Sequence, residues 1–370
     1  MACGFSGSGD EADPGTDPGT GGNGGGGTTP PRCKFDYVDV CGKTAEPART
    51  FQASVVINTS VDTSCTYALP QGTGNPELCV IHAAAITINQ GVTVRAVGSR
   101  PLALVSSGEI KVSGVLDVSS HRATSSTDEN LGAGAAGASC PEFLSAPDAS
   151  GAGGGGAAGG SFSGKGGDGG FSDEVGGPAQ RAAGRAFNAL SAPSFLRGGC
   201  RGQNGGDGSA AGSGGLGGPP GGALLLAASG DISIASTGRI SAGGGGATGS
   251  SQMAGGGGGG SGGMIVLEGK AVHRVGTVIA MGGGGGQGSF LGLAVVPGEA
   301  GDDTGNDTNT ARGGNNNLYF TGGNGSSTAG RNGQSGDAAY DGAGGGGGAA
   351  GFIILRGPVD GSGPMSPPAS

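Results

Sequence analysis

Four times along this chain a short aliphatic run opens a recurring pattern. Residues 102–119 read LALVSSGEIKVSGVLDVS, residues 223–246 read ALLLAASGDISIASTGRISAGGGG, residues 264–286 read MIVLEGKAVHRVGTVIAMGGGGG, and residues 352–357 read FIILRG. The first three units continue into a second alternating run and, behind Gly114, Gly238 and Gly276, a third. Equivalent apolar positions are Leu102, Leu224, Ile265 and Ile353 in the first run, Ile110, Ile232 and Val272 in the second, and Leu116, Ile240 and Val278 in the third. A fainter copy precedes them at 78–97. Alternation with period two over short stretches predicts strands. Three strands per repeated unit predict an all-β parallel solenoid over 78–357, since one unit cannot bury its Ile/Val/Leu row without neighbours. A β-sandwich of antiparallel hairpins is the alternative. The Asn-Gly and Asp-Gly turns that such hairpins favour are scarce between these runs.

Between the units lie Gly-rich inserts, at 131–222, 243–263 and 282–351. Each follows a third run and returns to a first run, so stacking of the units predicts that the inserts gather at one edge. Their texture is almost pure Gly with Ala and Ser, as in AGGGGGGSGG at 254–263. Such segments lack Cβ atoms and can approach closely in the three-residue helix of polyproline II type. Exchange of N–H···O=C bonds between neighbours would offset the ordering entropy of glycine. The alternative is disordered loops.

Composition sets the outer limits. The chain has 370 residues, of which 94 are Gly and 19 Pro, with 4% aromatic and 13% charged residues and no Trp. One large aromatic core is therefore not expected. The dense aliphatic clusters and low charge do not match a disordered chain either. A net charge of −9 argues against a nucleic-acid groove. No run reaches the ~20 apolar residues of a membrane span.

All seven cysteines lie in the first 200 residues, which suggests an oxidising compartment. Cys33, Cys41, Cys65, Cys79, Cys140 and Cys200 are disulfide candidates, and proximity in sequence favours Cys33–Cys41, Cys65–Cys79 and Cys140–Cys200 among the possible connectivities. Reduced buried thiols are the alternative. Cys3 is the odd one. It is followed by a Gly/Ser-rich, acidic stretch to residue 31 that has no apolar periodicity and would span about 30 Å as a flexible coil. This beginning resembles the mature end of a bacterial lipoprotein, which implies a lipid on Cys3 and a disordered tether over 1–31. No basic and apolar leader precedes Cys3 in the sequence. A Cys-rich cap is expected at 32–77 and a disordered tail at 358–370.

Taken together, the G-G-h-h-L strand, the alternating run, the G-x-h-x-A strand and the glycine burst resemble the glycine-rich repeat cell-surface proteins and lipoproteins of myxobacteria and related bacteria. The resemblance covers about 78–357. It implies a surface location and a β-solenoid with Gly-rich inserts, and it brings no catalytic residues.

Chemistry is sparse. The P-loop fails because Gly164-Lys165 is followed by Gly166 and Gly269-Lys270 by Ala271. His82, His121 and His273 are isolated from one another in sequence. Asp302, Asp303 and Asp307 form a string of hard oxygen ligands that suits Ca²⁺, although it does not fit an EF-hand; an exposed polar turn is the plain alternative. Glu109 and Asp231 align between units and are the one carboxylate pair that could stack for glycoside hydrolysis. Phe162, Phe171, Phe290, Asn315, Asn316, Tyr319 and Tyr340 are candidate contact residues in the inserts, or plugs under their own loops. The expectation is a non-enzymatic, secreted or lipid-anchored surface protein with a structural, adhesive or display role toward a protein, a glycan or itself. A carbohydrate-active enzyme on a β-helix and a self-assembling filament or coat subunit are the alternatives.

Overall fold

The structure is a computed structural model. It describes residues 31–122, 130–135, 140–141, 153–173, 180–181, 184–208, 211–291, 295–305, 307–316, 320–326, 336 and 341–370. The expected tether, Cys3, Tyr319 and Tyr340 lie outside the described residues.

The described chain is all-β without an α-helix. Three six-stranded sheets carry it. The first sheet consists of Tyr67–Leu69, Leu78–Ala83, Leu102–Ser106, Ala223–Ala228, Met264–Glu268 and Phe352–Arg356. The second consists of Arg49–Phe51, Ile86–Ile88, Ile110–Val112, Ile232–Ile234, Val272–Arg274 and Val359–Asp360. The third consists of Val55–Asn58, Thr93–Val97, Val115–Asp117, Arg239–Ser241, Thr277–Ile279 and Met365–Ser366. Pairing within these three sheets is parallel, except that Tyr67–Leu69 lies antiparallel on Leu78–Ala83; two short antiparallel pairs, Ser172–Asp173 with Gln180–Arg181 and Phe290–Leu291 with Val295–Val296, lie in the long connections. Parallel sheets visited in the order first, second, third are compatible with a β-helix and are the opposite of what a hairpin sandwich needs.

Side-chain alternation explains the pairing. Leu102, Leu104, Leu224, Leu226, Ile265 and Leu267 join one buried cluster with Ile110, Ile232, Leu116 and Ile240 from the other sheets. The intervening Ala103, Val105, Leu225, Ala227 and Val266 join a second buried cluster on the opposite side of the first sheet. Both faces of that sheet are covered, so its strands read as continuous apolar runs. Each fully buried Leu or Ile contributes about 1.5–3 kcal/mol.

Phe35, Val38 and Val40 cover the second cluster from the N-terminal side. Cys33–Cys41 closes that segment, and Arg32 pairs with the buried Glu268, which also accepts the Asp36 N–H at 2.9 Å. Burial raises the Glu268 carboxyl above its ordinary value, with the Asp36 N–H and Arg32 opposing.

Two boundaries differ from expectation. The stretch expected to be a cap, 32–77, already holds Arg49–Phe51 and Val55–Asn58, which pair with the second and third sheets. The stretch expected to be a disordered tail, 358–370, supplies Val359–Asp360 and Met365–Ser366. These strands are two residues long, too short to show alternation.

Long connections leave the third sheet after Asp117, Ser241 and Ile279, which are in register with one another. They re-enter the first sheet at Ala223, Met264 and Phe352, also in register. The glycine runs within them hydrogen-bond to each other. Gly255, Gly258 and Ser261 donate to Gly206, Gln203 and Cys200. Gly256, Gly259 and Gly262 donate to Ala343, Gly346 and Ala349, while Gly257, Gly260 and Gly263 donate to Thr248, Gly245 and Ala242. Carbonyls of the same run accept from Gly215 and Gly218, from Ala157 and Gly160, and from Gly283 and Gly286. The run 255–263 thus has six hydrogen-bonded neighbours and turns to a new one at each residue, with period three. None of its glycines has a φ in the left-handed region. Glycine is required instead for closeness: a Cβ on Gly258 would come closer than 3.0 Å to the Ala158 carbonyl oxygen.

Candidate functional site

The outer part of the last connection differs from the rest of the bundle in carrying polar side chains at regular intervals. Along 298–305, Gly301 and Thr304 are buried, whereas Glu299, Asp302 and Gly305 are exposed. Along 309–316, Ala311 and Gly314 are buried, whereas Asn309, Arg312 and Asn315 are exposed. Period-three exposure matches a three-residue helix with one row bound to the bundle. The buried rows are so bound: Gly301 N–H reaches Ala247 O at 2.9 Å, Thr304 N–H reaches Gly244 O at 3.1 Å and Gly314 N–H reaches Gly285 O at 2.9 Å. Asp302 N–H donates to Arg312 O at 2.8 Å, so the exposed rows run side by side. The turn that joins them is closed by Asp307, which accepts the Asn309 backbone N–H at 3.0 Å and its side-chain amide at 2.6 Å.

A polar cleft of about 780 Å³ opens over these rows, lined by Arg122, Asp302, Asp303, Asp307, Asn309 and Arg312 among others. Asp303 forms its wall. One carboxylate oxygen accepts the N–H groups of Arg122 at 2.7 Å and Gly246 at 2.8 Å, and the other faces His121 Nδ1 at 3.4 Å. Burial would raise the Asp303 carboxyl, but His121 and the two backbone donors outweigh it and hold the group below its ordinary value. Arg95 lies 3.0 Å from His121 Nε2 and 2.6 Å from Asp117. A guanidinium only donates, so Nε2 accepts and the His121 proton sits on Nδ1, toward Asp303.

The aspartates of the expected calcium string have other partners here. Asp303 is committed to His121 and backbone donors, and Asp307 to its own turn. Among the described residues no group of three His, Cys, Asp or Glu could hold a metal ion.

At the other end of the exposed rows stand two aromatic rings. Phe290 is 43% exposed and faces Phe320, with ring centroids 6.4 Å apart and planes at 27°. Phe320 has a φ of +90°, a strained value for a side chain of this size. The buried Gln287 anchors the neighbourhood. Its Oε1 accepts the N–H groups of Glu299 at 3.0 Å and Asn316 at 3.3 Å, and its Nε2 donates to Asn316 Oδ1 at 2.6 Å.

The remaining candidates scatter. Phe162 is fully buried, edge-on to Phe352 with centroids 4.8 Å apart and beneath Arg197, so it is a packing plug and not a contact residue. Phe171 is half-buried in a different connection. Phe290, Asn315 and Asn316 come together, while Arg312, Phe320 and Gln287 were not singled out by sequence. The repeating interval Asn309-x-x-Arg312-x-x-Asn315 was the available signal.

Glu109 and Asp231 do start neighbouring strands, as Ile110 N–H donates to Asp231 O at 3.0 Å. Lys111 holds Glu109 at 2.6 Å, and His273 Nε2 lies 3.6 Å from Asp231. His273 Nδ1 is also 2.8 Å from the Asp360 carboxylate, and that hydrogen bond raises the imidazole above its ordinary value. A raised folded value means that the contribution is present below the unfolded value of about 6.5 and is lost as pH climbs through the folded one. NMR titration should place the His273 midpoint above that of a free imidazole, and Asp360→Asn should return it. An unshifted midpoint in the parent protein would refute the pairing.

No protein-family model, curated protein or solved structure matches the chain. Among the described residues three disulfides join Cys33 to Cys41, Cys65 to Cys79 and Cys140 to Cys200, which is the chemistry of an oxidising compartment. Among the described residues no helix is long and apolar enough to cross a membrane.

Proposed function

We propose that this chain is a non-catalytic bacterial surface protein with an adhesive or display role. Its scaffold is a parallel β-solenoid, and its inserts form a polyglycine II-like bundle. Cys3, which lies outside the described residues, carries a lipid. The glycine-rich repeat proteins of myxobacteria and relatives are the family it resembles.

The period-three hydrogen bonding of the run 255–263 is the observation that supports this reading most directly. A bundle knit through main-chain groups is rigid without side chains, which leaves its outer rows free to present polar groups to a partner. The pairing of Glu109 with Lys111 and the approach of His273 to Asp231 weigh against the hydrolytic alternative, because both carboxylates already face a basic side chain.

Treatment of intact producing cells with a membrane-impermeant amine reagent, followed by mass analysis of the N-terminal peptide, tests the proposal. Labelling before lysis together with acyl mass on Cys3 is expected. Labelling only after lysis would overturn the surface role, and an unmodified Cys3 would overturn the anchor.

A further inference from the structure

The polar rows and the aromatic pair occupy the same stretch of the last connection. In a helix rising about 3.1 Å per residue, Phe320 and Asn324 stand roughly 12 Å apart along one run. Asn324 lines the polar cleft, and Phe320 carries the aromatic end. The run 320–325 is bound to its neighbour by Gly322 N–H on Gly314 O at 3.0 Å and Gly325 N–H on Ala311 O at 2.8 Å. A ligand that extends along these runs would therefore meet an aromatic surface at one end and amide, carboxylate and guanidinium groups at the other.

We infer that this surface binds a linear, uncharged polysaccharide, with one sugar ring resting on the exposed Phe290, which Phe320 backs, and its successors hydrogen-bonding to the exposed Asn315, Arg312 and Asp302. The inference rests on the display role proposed above and gives it a ligand class. Three features select this chemistry. A pyranose offers a C–H face that is attracted to the negative face of an aromatic ring. Its hydroxyls both donate and accept, which suits a surface that mixes amide, carboxylate and guanidinium groups. The lining sets the carboxylates of Asp302, Asp303 and Asp307 against the guanidiniums of Arg122 and Arg312, so the cleft offers no excess of cation to an anionic polymer. The buried Gln287 fixes Asn316 and the Glu299 backbone, which keeps the aromatic end in register with the polar rows.

Isothermal titration of the full chain with cellohexaose, chitohexaose and polygalacturonate tests the assignment. Binding to at least one neutral oligomer and none to polygalacturonate is expected. Phe290→Ala should weaken that binding about tenfold, and Phe290→Tyr should keep it. Arg312→Ala should weaken it about threefold to tenfold. The Phe290 ring is 43% exposed, so its removal leaves the fold intact, and an unchanged amide-exchange pattern verifies this. No heat from either neutral oligomer, preferential binding of polygalacturonate, or equal affinity of the Phe290→Ala protein would each overturn the inference. None of these results would move the cell-surface labelling that tests the display role.

Discussion

Gly258→Ala should destabilise the protein by about 3 kcal/mol or more, at the upper end of what overpacking does in a closed interior. The reason is geometric. The new Cβ would come closer than 3.0 Å to the Ala158 carbonyl oxygen and the Gly159 backbone nitrogen. Neither is the tip of a flexible side chain that could swing away. The run also cannot move as a unit, since it is hydrogen-bonded on six sides to segments that are themselves bonded to others. Gly305→Ala is the matched control. Gly305 is exposed, and a Cβ there would make ordinary contact with the Asp307 side chain at 3.4 Å. It should change stability by less than about 0.5 kcal/mol. Thermal unfolding of both proteins measures the contrast, and equal melting temperatures would show that the glycine runs are not packed as described.

The strands were legible because side chains report burial. In 110–112 and 232–234 one face is apolar and the other polar, and the alternation shows it. In 102–106 and 223–228 both faces are covered, and the run is continuous. The final strands, Val359–Asp360 and Met365–Ser366, gave no such signal because they are short and Val359 is 44% exposed. The glycine runs are a different matter. A residue without a side chain says nothing about which neighbour it faces, so the partners of Gly255, Gly256 and Gly257 were beyond reading. Only where a run meets solvent do larger residues return, and there the interval of three becomes visible at Asn309, Arg312 and Asn315. The aromatic residues show the same limit. Phe162 and Phe290 sit in similar glycine-rich surroundings, yet one lies against the first sheet and the other at the surface. Nothing local separates them. The partners of the aspartate string were hidden for a related reason: the donors that occupy Asp303 come from Arg122 and Gly246, both far from it in sequence.

Removing the Cys140–Cys200 bridge should have a still larger effect. The two cysteines are 60 residues apart, against 8 for Cys33–Cys41 and 14 for Cys65–Cys79. Loop-closure entropy assigns about 4 kcal/mol to the long bridge and roughly 2.5 kcal/mol to the shortest. The surroundings add to the difference. Cys200 belongs to a run bonded to the centre of the bundle, through its N–H to Ser261 Oγ at 2.7 Å and its carbonyl to Ser261 N–H at 3.0 Å. The buried Arg197 guanidinium points at the same bridge, 3.0 Å from the Cys140 sulfur, and burial lowers its pKa. A Cys140→Ala, Cys200→Ala protein should therefore lose more stability than a Cys33→Ala, Cys41→Ala protein, by about 1.5 kcal/mol in denaturant unfolding. Its amide protection should fall first along 200–206, the run tied to the bundle at Cys200. If the short bridge proves the costlier to remove, the first connection is held by its glycine contacts alone and the disulfide is incidental to the bundle.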